Sequence, residues 1–121
     1  MKIFEKIFGR KKLNKFPTLT EFPKLNSDDR IMTIMMMGDS EKIEYFPFLK
    51  YAIEKDTDIN VKFSALKRIH HFKNHSETLP LLNELKDNNI GQNYEPYLSM
   101  ALLKLGIISE EEFSDKINNQ T

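Results

Sequence analysis

The sequence has no cysteine. That excludes a disulfide framework, a thiolate metal site and a thiol nucleophile. Glycine is scarce, and Gly9, Gly38, Gly91 and Gly106 stand alone, so no glycine-rich loop can cradle a phosphate. No serine lies in a nucleophile-elbow context. Net charge is absent too, with 18 basic and 18 acidic side chains, which removes a global pull toward nucleic acid or membrane. Long apolar runs are missing: "IMTIMMM" is broken by Thr33 and falls far short of a membrane span. The start, "MKIFEKIFGRKK", alternates charge with apolar residues and lacks the apolar region of a secretory signal. Together these absences lead us to expect a non-enzymatic, soluble, cytoplasmic protein without metal or cofactor. The abundance of Lys, Asn and Ile suggests an AT-rich bacterial genome.

What is present is helical pattern, enough for one domain of 121 residues. Residues 1–26 read as a basic N-terminal arm and connector, and 27–121 as the helical domain. Residues 1–15 carry Lys2, Lys6, Arg10, Lys11, Lys12 and Lys15 against Glu5, and the acids Glu110, Glu111, Glu112 and Asp115 gather near the other end. Residues 2–8 suit a short amphipathic helix with Ile3, Phe4, Ile7 and Phe8 on one side. Ser27 is an expected N-cap for a helix over 28–37 that Gly38 stops. A second helix is expected from Asp39 or Ser40, with Tyr45, Phe46, Phe48, Leu49, Ala52 and Ile53 inward and Pro47 as an outer-face bend. Asp58 caps a helix over 59–72 whose apolar arc is wide enough for an inner helix. Ser76 or Thr78 opens the next helix, with Pro80 in its first turn. Asn93 caps one over 94–105 that Gly106 closes, and Ser109 with Glu112 forms a capping box for the last. No strand pattern appears, so the expected class is all-α.

Pro47-x-Leu49 recurs as Pro80-x-Leu82, each early in the first helix of a pair. Val61, Ala65, Leu66 and Ile69 have counterparts at Tyr97, Ala101, Leu102 and Leu105. Repeated helix pairs at such spacing are the mark of an α-solenoid. Pro47-x-Leu49, Ala52, Asp56, Asp58, Val61-Lys62, Ala65-Leu66 and Ile69 resemble one HEAT repeat. The resemblance implies a short HEAT-like array (an α-α superhelix) of about two and a half helix pairs. It also implies that Lys62, in place of the usual arginine, bonds Asp58 or Asp56 of the turn. An irregular helical bundle is the alternative architecture.

Candidate chemistry is thin. "DTDIN" begins like a calcium loop, but Val61 and Lys67 occupy the positions of the glycine and the bidentate acid. His70, His71 and His75 lack a metalloprotease glutamate, and surface or structural roles are expected. Met35 and Met36 are expected to pack against the next unit. In the family that the repeat resembles, second helices line the concave face, so Lys67, Arg68, His71 and Lys104 are the candidate partner-binding strip. The expected function is a non-catalytic protein-binding module, an immunity protein that neutralises a cognate bacterial toxin being one form. An adaptor, or a nucleic-acid binder using the basic face, is the alternative, although scarce arginine argues against nucleic acid. Membrane-surface contact by Phe4, Ile7 and Phe8 is a further possibility, competing with a capping role for the arm.

Overall fold

The computed structural model describes residues 16–87 and 95–118. Among them the protein is all-α: α1 (Ser27–Ser40), α2 (Phe46–Lys55), α3 (Ile59–Arg68), α4 (Thr78–Asp87), α5 (Glu95–Lys104) and α6 (Glu110–Asn118). Short 3-10 turns cover Phe22–Lys24, Ile43–Tyr45 and Ile69–Phe72. The helix expected over residues 2–8 and the cap at Asn93 lie outside the described residues.

The first helix begins one residue early and ends later than its glycine suggests. Asn26, not Ser27, is the N-cap; its side chain accepts the Asp29 amide at 2.8 Å, and its carbonyl takes the first helical bond from Arg30. Asp28 and Asp29 then meet the positive end of the helix dipole. The helix runs through Gly38, which is buried, and stops at Glu41, whose φ of 61° is left-handed. Gly38 answers a different demand. A Cβ there would lie 2.7 Å from the Arg68 Cβ, so the glycine permits α1 and α3 to approach closely.

Asp39 and Ser40 therefore finish α1 and do not open α2. Pro47 is exposed in the first turn of α2, where its missing N–H has no intrahelical partner to lose. It starts the helix and does not bend it. The inward face is as the spacing predicts: Phe46, Leu49, Ala52 and Ile53 are buried. Asp58 caps α3 by accepting the Asn60 amide at 2.8 Å. Val61, Ala65 and Leu66 are buried along it, and the 3-10 turn adds Ile69 and Phe72. As the wide apolar arc predicts, α3 is an inner helix, packed against α1, α2 and α5. Ile59, at its exposed first turn, remains in solvent.

Thr78 opens α4 with a buried hydroxyl that donates to the Phe72 carbonyl at 2.6 Å, and Leu81, Leu82 and Leu85 turn inward. Leu98, Ala101 and Leu102 of α5 join the same core. Gly106, at φ 77°, closes α5 while the Ile107 amide donates to the Leu102 carbonyl. The capping box of α6 forms in both directions, each bond at 3.1 Å between Ser109 and Glu112. Each large apolar side chain buried here contributes about 1.5–3 kcal/mol.

Aromatic packing and one arginine bind the connector to this body. Phe22 is completely buried, edge-on to the rings of Phe48 and Tyr51, and Phe16 packs edge-on to Tyr45. Arg30 of α1 grips Asp56 in the α2–α3 turn with two bonds, Nε to Oδ2 at 2.9 Å and Nη2 to Oδ1 at 3.1 Å. Its Nη1 donates to the Leu25 carbonyl at 2.6 Å. One guanidinium thus joins the connector, α1 and the turn before α3.

Candidate binding surface

The four candidate partner-binding residues occupy unequal settings. Arg68 is fastened down: its Nε donates to Asp39 Oδ1 at 3.1 Å, its Nη1 to the Ser64 carbonyl at 3.1 Å, and its stem covers Gly38. His71 Nδ1 lies 3.3 Å from a Glu41 carboxylate oxygen. Lys67 is exposed, with its ammonium 5.5 Å from the centre of the Tyr97 ring. Lys104 is exposed on α5 and acts electrostatically on His70 of the α3 turn. The strip is therefore a mixed surface in which Asp39 and Glu41, at the end of α1, place carboxylates beside Arg68 and His71.

Sequence reasoning did not reveal the aromatic pair beside them. Phe63 and Tyr97, both half-buried, stack at 3.9 Å with ring planes 17° apart. The repeat alignment matched Tyr97 to Val61, which is buried; the residue it meets is Phe63. The available signal was the i, i+4 spacing of Phe63 and Lys67, which places the ring and the cation on one side of α3. Met36 on α1 and Met100 on α5 are exposed on flanking helices, and Met37 is the methionine that fills the core. Met36, expected with Met35 to pack against the next unit, is thus at the surface, while Met35 is half-buried.

The three histidines do not converge. His75 stacks flat on Phe46 at 3.7 Å and accepts the Glu77 amide on Nδ1 at 3.0 Å. His70 lies against His71, ring centres 4.1 Å apart, and its Nδ1 is buried without a hydrogen-bond partner. Burial, then the neighbouring His71 and Lys104, hold the His70 pKa below the ordinary imidazole value; the Lys67 carbonyl and Glu41 oppose this more weakly. Among the described residues no group of three or more His, Asp or Glu side chains is placed to hold a metal.

Apart from this strip, α2 and α4 flank a groove of about 420 Å³. Its floor includes Ile53, Leu81 and Leu85; its rim includes Glu54, Glu84 and the half-buried Lys62. Nearby, Lys50 and Glu77 pair at 2.8 Å, which raises the pKa of the lysine and lowers that of the glutamate. Of the aspartates that the HEAT resemblance assigns to Lys62, Asp56 is engaged by Arg30 and Asp58 caps α3. Their places in the turn and cap also account for "DTDIN" without calcium. Phe4, Ile7 and Phe8 lie outside the described residues, and no helix within them is long and apolar enough to cross a membrane. Compared with protein-family models, curated proteins and solved structures, the chain matches none.

Proposed function

We propose that the protein is a non-catalytic protein-binding module, built as a short HEAT-like array, with α1, α3 and α5 forming its binding face. The architecture is supported by which ends of these helices meet. Arg30, early in α1, reaches Asp56 just before α3, while Asp39 and Glu41 at the far end reach Arg68 and His71. Phe63 meets Tyr97 in the first halves of α3 and α5, and His70 feels Lys104 at their ends. In this reading, α1, α3 and α5 lie side by side in one direction, as second helices do in the family that the sequence resembles.

The observation that carries the functional reading is the Phe63–Tyr97 stack, with Lys67 over it and exposed methionines on both flanking helices. Rigid aromatic side chains contribute much of the energy of protein interfaces, and methionine adapts to a partner's shape. The carboxylates of Asp39 and Glu41 within the strip favour a protein over a polyanion. A toxin neutralised by this module remains one partner of that kind, suggested by analogy with small immunity proteins.

A photo-crosslinker at position 67 or 100 should capture a protein in the native cell. With that partner purified, Lys67→Glu and Met100→Glu should each weaken binding at least tenfold, while Glu84→Lys in the groove between α2 and α4 leaves it unchanged. Capture of nucleic acid, or tight salt-sensitive binding to a DNA duplex, would overturn the proposal in favour of the basic-face alternative.

A further inference from the structure

We propose that His70 makes the seam between the end of α3 and α5 acid-sensitive, so that proton uptake there releases α5 and α6 from the rest of the fold. His70 sits between the buried residues Ile69 and Phe72 in the 3-10 turn that packs on α5. Its Nδ1 is buried without a hydrogen-bond partner, and the ring lies against His71.

The charges around it oppose a proton. From α5 comes Lys104; His71 is adjacent on the same turn. The carboxylate acting from the end of α1 is Glu41, which is already engaged with His71 at 3.3 Å, while Asp39 is taken by Arg68. From the last turn of α3, the Lys67 carbonyl favours the proton. A cation formed at His70 would therefore lie against a second imidazole and within the influence of an ammonium, with its Nδ1 withdrawn from water. Swinging α5 away relieves both costs at once, because it removes Lys104 and admits solvent.

The direction with pH follows from the lowered pKa in the closed state. Above an ordinary imidazole pKa of about 6.5, the ring is neutral whether the seam is open or closed, and pH has no effect. As pH falls through that value the open state takes the proton first, so closure weakens until the closed state also protonates. At pH 5, with the closed ring still neutral, the opening equilibrium can rise by at most about thirtyfold.

Hydrogen exchange of the full chain at pH 7.5 and pH 5, normalised for intrinsic exchange rates, reads this directly. Protection in α5 and α6 should fall severalfold relative to α1 and α2. His70→Gln should abolish that difference, and His75→Gln, on the Phe46 side of the molecule, should keep it. An equal fall in all helices, or a selective fall that survives His70→Gln, would overturn the proposal. Should His70→Gln fail to fold, His70→Asn supplies the same test: loss of the pH-dependent difference supports the seam, and its persistence rejects it. An NMR titration that places the His70 ring at or above the ordinary imidazole value would reject it equally.

Discussion

Among the described residues, removing Asp56 should be the most damaging single loss of charge. Its side chain is 1% exposed, and the guanidinium it holds belongs to a side chain only 12% exposed. In Asp56→Ala, Arg30 keeps its bond to the Leu25 carbonyl but loses both carboxylate bonds, and the Asp58 amide loses an acceptor at 2.8 Å. A cation stranded out of water in this way costs about 3–5 kcal/mol. Domains of this size have about 5–15 kcal/mol in total, so the variant should be close to unfolding at room temperature. Arg30→Met strands the carboxylate instead and should cost a similar amount. The double variant leaves neither charge buried, so its cost should be well below the sum, with a coupling of about 2 kcal/mol or more. Urea unfolding followed by far-ultraviolet circular dichroism gives all the corners of the cycle, and Asp56→Asn replaces Asp56→Ala if the latter does not fold. Raising salt should change the coupling little, since a buried pair is weakly screened. Single costs below about 1 kcal/mol that simply add would show a solvated pair and refute the argument.

Gly38→Ala tests the close crossing of α1 and α3. Helix propensity alone predicts a gain of about 1 kcal/mol, but the contact with the Arg68 stem should turn this into a loss of about 1–3 kcal/mol in a urea melt. A gain would mean that Arg68 yields easily. Phe22→Ala should cost about 3–5 kcal/mol, because the ring is fully buried against Phe48 and Tyr51; a cost below about 1 kcal/mol would detach the connector from the fold. For the proposed repeat pair, Asp58→Asn retains a capping side chain while deleting its charge. Its coupling to Lys62→Met should be about 0.5–1 kcal/mol, and zero coupling would remove the pair.

The helix inventory was legible because apolar spacing and capping chemistry are local. Leu49, Ala52 and Ile53 share a face by spacing alone, and Ser109 with Glu112 needs no distant neighbour to close its box. The errors fell where a residue answers to another part of the chain. Gly38 looks like a stop signal in isolation; only Arg68, thirty positions on, explains why it is a helix interior. Pro47 looked like a bend because the residues before it carry a helical pattern, whereas Asp39 is committed to α1 and to Arg68. The surface was half readable. Periodicity places Lys67, Arg68 and His71 together, yet the carboxylates beside two of them come from the end of α1, and the ring beneath the third comes from α5.

Glu41 carries a conflict that laboratory evolution would expose. A left-handed backbone costs a side-chain-bearing residue about 1–2 kcal/mol, and glycine there would escape that penalty. Selection for thermal tolerance alone should therefore drive position 41 to glycine. The same change deletes the carboxylate beside His71 and leaves the histidine end of the strip more cationic. Heat-selected variants would thus drift toward indiscriminate attraction for acidic molecules, gaining robustness while losing selectivity.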